Sequence, residues 1–392
     1  MKFSKYNATQ ILRVLTIVLL VSLNNVAPAQ DTITDEDTSY VFDYGVSYVG
    51  EFANNVSGGI KRGSIYMGNA YLWGTLYTDN WWKGGVLYTS ILNTHGKGFS
   101  AEYVGDFQVA SNIEAEPGTV LYELKYEQTI GNLSILTGLI DANESHFAGE
   151  NASNFSNSTF GISSVLSNGV PVSIFPYTGV GISFQYKLSP KFNTLLSVYD
   201  GLSYQTETEN HNLKWNLKKM EGTLWVSEWQ WHNFGKKTGN SIKTGVYHHT
   251  PWYAYNDSSQ VYDIKNSSNT GLYLITDFSL AERQNQKTID VFGQLFIDPN
   301  KRSENYLGFC AGINAYGLLT NDFKDTWGMG VCYAGFNSQS NEAETAIEFY
   351  NLWQINDYIA LQADFQYVIN PSGTDTDLEN ASLIFFRFMF DW

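Results

Sequence analysis

Charged and polar side chains recur at every second position in several stretches that are rich in β-forming residues. Between residues 120 and 127, Glu123, Lys125 and Glu127 alternate with large apolar or aromatic residues such as Tyr122. Because successive side chains of a strand point to opposite faces, we expect a ladder of charges on one face and Tyr122 on the other. The same alternation places further residues on the polar faces of their strands: Glu51, Asp290, Gln294, Glu348, Gln362, Asp364 and Arg387. Such faces could hydrogen-bond the neighbouring hydroxyls of a sugar, or could simply line a water-filled space.

The two cysteines, Cys310 and Cys332, lie in neighbouring predicted strands at about equal distances from the turn between them. By alternation both point to the inner face, so a cross-strand disulfide formed in an oxidising compartment would fit, as would two buried thiols. Neither cysteine, nor the pair His248 and His249, has a second pair of residues nearby at metal-ligand spacing. We therefore predict no metal and no cofactor.

Ser145 and His146 are adjacent in the sequence, so we consider whether the protein could be an enzyme. A hydrolase built on a barrel, such as an outer-membrane phospholipase, would need serine and histidine within hydrogen-bond reach on an outward strand face. This pair instead lies in a turn-rich loop. The sequence therefore favours a protein that is not an enzyme.

The C-terminal segment carries the clearest strand pattern. Every second residue from Ile384 to Trp392 is large and apolar, whereas the other face carries Arg387 and Asp391. This pattern is typical of the closing strand of an outer-membrane β-barrel, which also serves as the signal for the barrel-assembly machinery. An edge strand of a soluble sandwich is the alternative, but it would leave the apolar band uncovered.

The N-terminal residues have the features of a secretory signal peptide. Three cations precede or flank an apolar run at residues 14–23, and the small-x-small sequence at residues 27–29 suits signal peptidase. We therefore assign residues 1–29 to a signal peptide and residues 30–392 to a single domain. No later segment has the roughly 18 apolar residues that a membrane helix needs, and a membrane protein without such helices must be a closed barrel.

Turn-forming residues divide the mature chain into about 16 strands. The connections are short at residues 131–132, 188–191 and 354–358, and long at residues 93–118, 142–178, 201–221 and 250–269. We therefore predict an all-β protein, a transmembrane antiparallel β-barrel with short periplasmic turns and long extracellular loops. A barrel of this size leaves an aqueous channel, whereas an eight-stranded barrel is filled by its own side chains.

The charge balance limits the partners of the protein. Removal of the signal peptide takes away three cations and no acidic residue, so the formal net charge changes from −16 to −19. Nucleic acid is an unsuitable partner, because its binding needs a basic surface. A general or cation-preferring diffusion pore is one function that this balance would fit. The small residues Gly68, Ala70 and Gly74 on a predicted outward face would allow a homo-oligomer.

Aromatic residues are frequent in the long predicted loops and have two interpretations. They could stack on sugar rings if the loops fold inward, or they could pack the loops themselves: Phe99, Tyr103, Phe107, Phe147, Phe155, Phe160 and Tyr177. Tryptophans near strand ends would form the belt at the membrane interface: Trp81, Trp82, Trp225, Trp229 and Trp231.

A series of short motifs, taken in order, resembles the OprB-type carbohydrate-selective porins of Gram-negative bacteria. The motifs lie at residues 55–59, 61–63, 95–98, 102–106, 111–115, 121–124, 138–143, 157–161, 198–201 and 366–371. The resemblance spans nearly all of the mature chain. It implies a 16-stranded barrel, narrowed by its loops, that passes glucose and related sugars through the outer membrane by facilitated diffusion without an energy source.

The resemblance also implies a charged constriction. Carried onto this chain, the constriction would use Arg62, Glu102, Asp106, Glu114, Glu123 and Asp141, of which Glu123 is placed by strand alternation and the others by loop motifs. Each of these residues could instead stabilise a loop, and the sequence around Asp141 is also typical of a turn.

Overall fold

The computed structural model describes residues 41–203, 211–215, 217, 219–234, 239–256, 261–281, 289–300, 303–319, 324–337, 343–373 and 378–392. The predicted signal peptide, residues 1–29, lies outside the described residues and stays a prediction. In the part of the chain that the structure describes, no helix has the length and apolar character needed to cross a membrane.

The described residues contain eighteen strands, which we number in chain order. They are β1 (Phe42–Ser57), β2 (Gly63–Tyr77), β3 (Gly85–His95), β4 (Gly118–Ile130), β5 (Leu133–Ile140), β6 (Gly179–Ser189), β7 (Phe192–Asp200), β8 (Thr223–His232), β9 (Ser241–His249), β10 (Trp252–Asn256), β11 (Val261–Asn266), β12 (Asn269–Ala281), β13 (Ile289–Ile297), β14 (Asn305–Tyr316), β15 (Asp325–Phe336), β16 (Glu344–Gln354), β17 (Ile359–Ile369) and β18 (Ala381–Asp391). Strands β10 and β11 form a separate hairpin.

The other sixteen described strands form one closed barrel in which each strand pairs with its neighbours, and the predicted barrel of about 16 strands is confirmed. The C-terminal strand closes the barrel, because β18 pairs antiparallel with β1 from Ser47 opposite Asp391 onwards. Closure leaves no edge strand, which is the condition for placing a sheet in lipid. The β10–β11 hairpin lies within a segment, residues 250–269, that we expected to be a loop.

The barrel exterior carries the predicted apolar band. Phe386 and Phe388 of β18 are exposed, as are the five predicted belt tryptophans: Trp81, Trp82, Trp225, Trp229 and Trp231. Aromatic side chains at the ends of the strands match the girdles by which barrels sit at the two membrane interfaces.

Tyr122 lies on the inner face, so the prediction that it faces outward was wrong. In the pairing of β3 with β4, Ser90 lies opposite Glu123 and Ile91 lies opposite Leu121, so Tyr122 is the extra residue of a β-bulge. A bulge shifts the alternation by one residue. The Tyr122 side chain is therefore 5% exposed and donates a hydrogen bond to the Asp141 carboxylate.

Two connections at the end of the barrel opposite the termini fold inward and pack on the wall. We call residues 96–117 loop L2 and residues 141–178 loop L3. In L2, Phe99 packs edge-on against Phe385 of β18. In L3, Phe155 and Phe160 stack with ring centroids 4.2 Å apart and pack against Phe292 of β13. Each fully buried phenylalanine stabilises the packed loop by about 1.5–3 kcal/mol.

Loop L3 obtains its shape from three one-turn helices, each of which starts at a side-chain cap. The caps are Asp141 for residues 142–145, Asn157 for residues 158–161 and Ser163 for residues 164–167. A cap satisfies backbone N–H groups that would otherwise lack partners at the start of a helix. The capping residues thus allow a long loop to be buried inside the barrel.

Candidate pore constriction

A cluster of opposite charges projects into the channel from β4 and the start of L3. Lys125 Nζ lies 2.9 Å from Glu123 Oε1 and also donates to the Glu144 carboxylate. The same ammonium lies 4.6 Å from the centroid of the Tyr88 ring, a cation–π distance. The Glu144 side chain is 50% exposed and that of Lys125 is 14% exposed, whereas Glu123 lies behind them at 1%. Water in the channel therefore reaches Glu144 and Lys125 first.

Asp141 and Glu123, two of the residues predicted for the constriction, lie side by side. Glu123 Oε1 accepts a hydrogen bond from the Asp141 backbone N–H at 3.2 Å. The Asp141 carboxylate accepts from Tyr122 and, at 2.8 Å, from the Asn143 backbone N–H. Burial raises the pKa of Asp141 to about 6. Its contacts fix the start of L3 and thereby hold Glu144 beside Lys125.

A second ion pair joins β1, β18 and L2. Arg387 Nε and Nη2 donate to Glu51 Oε2 at 2.7 and 2.6 Å, and Nη2 also donates to Asn112 Oδ1 at 2.9 Å. The Ser111 hydroxyl donates to Glu51 Oε1 at 2.5 Å. Strand alternation placed Arg387 and Glu51 on the inner face, but their pairing with L2 depends on the inward fold of that loop.

The other four residues predicted for the constriction lie elsewhere. Arg62 is exposed within the β1–β2 connection. Glu102 is also exposed, and its Oε2 lies 3.8 Å from Lys61 Nζ. Glu114 Oε2 accepts from the Ser100 backbone N–H at 3.0 Å inside L2. Asp106 also belongs to L2 and lies near Glu344, the first residue of β16. Among the described residues, none of the four predicted residues has a hydrogen bond or ion pair with Glu123 or Asp141.

Most residues predicted to line the lumen do face it, but the loops cover them. Exposed fractions are small for Gln294 (2%), Glu348 (0%), Gln362 (4%), Asp364 (4%) and Arg387 (8%). Glu127 and Asp290 are half-buried. The expectation that these polar side chains meet open water is therefore wrong for the covered group. Gln294, Glu348 and Gln362 bond loop atoms, whereas Arg387 pairs mainly with Glu51 of the wall. Alternation along a strand does not reveal these partners.

The loop aromatics divide in the same way. Phe99, Phe147, Phe155 and Phe160 are 0–1% exposed and pack the loops, which excludes stacking on a solute, whereas Tyr103, Phe107 and Tyr177 are half-buried. Functional candidates that sequence reasoning missed are Tyr88 and Glu144. Alternation along β3 could have found Tyr88, but Glu144 required knowledge of the path of L3.

His146 does not pair with its neighbour Ser145. Its Nε2 lies 2.7 Å from Ser197 Oγ on β7, and its Nδ1 lies 3.7 Å from Glu228 Oε2 on β8. All three side chains are fully buried. The group connects L3 to the barrel wall beneath the surface that a solute could reach.

Cys310 and Cys332 are joined as a disulfide between the directly opposed positions of β14 and β15. Both sulfur atoms lie on the inner side, against Phe155 and Phe160 of L3. In the described part of the chain, no group of three or more His, Cys, Asp or Glu side chains is arranged to hold a metal ion.

Asp106 should make the docking of L2 depend on pH. Burial, and after it the nearby Glu344 carboxylate, raises the pKa of Asp106 to about 8. Because docking of L2 raises the pKa of Asp106, the neutral carboxyl is the form that favours docking. Docking is therefore most favourable below the ordinary carboxyl pKa of about 3.9 and weakens as the pH rises through about 8. We expect the current noise of single channels to be greater at pH 9 than at pH 5, and Asp106→Asn to remove that difference. Glu116→Gln, at an exposed carboxylate of the same loop, is the control; equal pH dependence in both variants would contradict the prediction.

Comparisons with known proteins agree with this architecture. The model of the family described as carbohydrate-selective porins of the OprB family matches residues 75–392. The high-pH structure of OprB from Pseudomonas putida is 17% identical, with a TM-score of 0.79 over 90% of this chain and 94% of that chain. The low-pH structure of the same protein is 12% identical, with a TM-score of 0.57 over 100% of both chains. A loop L8 deletion mutant of OmpT from Vibrio cholerae is 9% identical, with a TM-score of 0.52 over 90% of this chain and 99% of that chain.

At such identities the structural similarities show the fold alone. No curated protein matches the chain. The family match, in contrast, covers well over half of the chain and includes the strands from β3 to β18. The protein therefore belongs to the OprB family of carbohydrate-selective porins.

Proposed function

We propose that this porin passes monosaccharides and small sugars, glucose among them, by passive diffusion past the cluster of Lys125, Glu144 and Tyr88. The observation that carries the proposal is the placement of an accessible carboxylate and an accessible ammonium beside an aromatic ring, in a channel narrowed by L2 and L3. The channel lies in the outer membrane of a Gram-negative bacterium, as the family implies.

The chemistry of the cluster suits a neutral polyhydroxylated solute. The Lys125 ammonium donates hydrogen bonds and the Glu144 carboxylate accepts them, so both roles of a sugar hydroxyl can be met. The half-buried Tyr88 ring offers a face for the C–H side of a pyranose ring. Contacts in a channel must replace part of the hydration of the solute and still release it, so a few partly exposed groups are sufficient.

The six residues carried over from the family would then have different roles. Glu123 and Asp141 would orient Lys125 and Glu144 from behind. Arg62 and Glu102, which are exposed, would meet the solute at the long-loop end of the barrel. Asp106 and Glu114 would act on L2, the loop that carries both, Glu114 through its hydrogen bond with the Ser100 N–H.

Planar-bilayer recordings of the purified barrel test the sugar contact. We expect glucose to reduce the open-channel current in a saturable manner, and an uncharged non-sugar solute of similar size to leave it nearly unchanged. Glu144→Gln keeps the shape of the side chain and should weaken the block, whereas Glu116→Gln, at an exposed residue paired with Lys97, should not. Equal effects of glucose and of the non-sugar solute would refute the sugar contact.

A general or cation-preferring pore remains the second candidate, favoured by the net charge of −16 for the whole chain and by the exposure of Glu144. Reversal potentials in a salt gradient distinguish the two functions. A strong cation preference with no glucose block would support the second candidate.

Assembly and association are further proposals. The barrel-assembly machinery would recognise the segment from Ile384 to Trp392, whose strand closes the barrel. A homo-oligomer would need an accessible small-residue surface, but a Cβ added at Gly68 would meet the His95 ring at 2.7 Å and one at Gly74 would meet the Phe42 ring at 3.2 Å. Side chains of the same chain thus cover this surface, and native gel electrophoresis in mild detergent would decide the oligomeric state.

A further inference from the structure

Three carboxylates of the barrel wall each bind two successive backbone N–H groups of an inward-folded loop. The clearest case is Glu348 of β16, whose Oε1 accepts from Ser156 at 2.5 Å and whose Oε2 accepts from Asn157 at 2.9 Å. Both donors belong to L3, and Glu348 has no exposed surface. Successive backbone N–H groups form a concave site for an anion, and here the anion is a side chain of the wall.

Glu344 repeats this arrangement with L2. Its Oε2 accepts from Phe107 at 2.7 Å, its Oε1 accepts from Gln108 at 2.9 Å, and Ser372 adds a third N–H at 2.5 Å. One buried carboxylate thus joins L2 and the β17–β18 connection to the first residue of β16.

Asp277 of β12 repeats it again with an earlier part of L3. Its Oδ1 accepts from Asn151 at 3.0 Å and its Oδ2 from Glu150 at 3.3 Å. Hydrogen bonds to an ionised acceptor are about twice as strong as those between neutral groups. Three such pairs along two loops therefore form a strong and directional attachment.

Side chains of the barrel wall also donate hydrogen bonds to backbone carbonyl groups of the loops. The donors and acceptors are Gln366 and Ala110 (2.8 Å), Gln362 and Asn154 (3.1 Å), Gln294 and Phe160 (2.8 Å), Asn314 and Asn151 (2.6 Å), and Lys243 and Ala148 (2.9 Å). In every pair the loop contributes a backbone atom. The wall therefore fixes the path of the loop backbones, which in turn sets how far the loops project into the channel.

We propose that Glu344, Glu348 and Asp277 are positioning residues that set the open area of the channel by holding the backbones of L2 and L3 against the wall. Because backbone N–H groups of the loops bind their carboxylates, these residues act on a solute through the width of the passage and not by contact. The proposal rests on the porin function but is independent of the sugar contact, because the conductance of salt reports open area whichever sugar binds.

Glu348→Gln tests this role with a minimal change of shape. The amide keeps one acceptor and turns an NH₂ group toward a backbone N–H, so one of the two hydrogen bonds is lost. We expect a barrel that still migrates as folded without heating, with a single-channel conductance raised roughly 1.5-fold or more and with current substates, because conductance follows the width of the pore. Glu116→Gln, at an exposed carboxylate of L2 that is paired with Lys97, is the matched control and should leave the conductance near that of the wild type.

An assembled Glu348→Gln channel with the conductance and noise of the wild type would overturn the proposal. If the variant does not assemble, hydrogen exchange of the wild-type protein decides instead. The amides at 107–108, 150–151 and 156–157 should exchange as slowly as strand amides, and fast exchange there would refute the attachment. Recordings are made first without sugar, so a failed glucose block at Lys125 cannot be mistaken for a failure of positioning.

Discussion

Replacement of Arg387 by methionine is expected to lower the free energy of unfolding by about 3–5 kcal/mol, because it leaves the fully buried Glu51 carboxylate without a cation. The Ser111 hydroxyl would be its remaining donor. Methionine preserves much of the volume of the side chain, so the loss would arise from the uncompensated charge. Urea unfolding of the barrel in detergent micelles or lipid, followed by tryptophan fluorescence, measures the change.

Two variants separate charge from packing. The double variant Glu51→Gln with Arg387→Met should recover part of the loss, since no unpaired charge stays buried. Lys61→Met breaks an exposed pair with a 3.8 Å separation and should cost about 1 kcal/mol or less. A single Arg387→Met variant as stable as Lys61→Met would show that the ion pair contributes little to the barrel.

Replacement of Lys125 by methionine is expected to have the largest effect on transport. It removes the ammonium that pairs with Glu123 and Glu144, and so leaves the exposed Glu144 carboxylate and the buried Glu123 carboxylate behind it without a cation. Block by glucose should weaken about tenfold or more, since a hydrogen bond to a charged group contributes about 1.5–3 kcal/mol. The reversal potential should at the same time shift toward cation selectivity. Planar bilayers report both quantities from one preparation.

The matched control is Lys97→Met, which makes the same change of charge at an exposed residue of L2 paired with Glu116. It should alter glucose block little, because salt screens exposed charges over about 8–10 Å. If Lys125→Met and Lys97→Met had equal effects on block, the sugar contact would have to lie outside the Lys125 cluster.

Strand alternation predicted the barrel well, because the side chains of a strand point in turn to the two faces of the sheet and this pattern is visible in the sequence of the strand itself. The inward placement of Glu123, Lys125 and Arg387 follows from this alternation alone. Tyr122 was misplaced because a bulge depends on the pairing with β3, which the local sequence does not encode. Glu348 and Gln362 were assigned to the correct face but to the wrong environment, since their partners lie in L3, about two hundred residues earlier in the chain. For the same reason, the sequence could not show which residues of the candidate site are accessible and which are covered by the loops.

The long-range contacts of L3 also order the events of folding. Ser156 docks on Glu348, 192 residues later, and Gln362 reaches back 208 residues to Asn154. An emerging chain therefore contains L3 long before the strands that receive it, and contacts of high sequence separation form late. The pairing of β1 with β18 joins residues still farther apart in the chain, Ser47 with Asp391 among them, so by the same rule it follows the docking of L3. Closure by the C-terminal strand is then the last step, and it completes a passage that L3 has already narrowed.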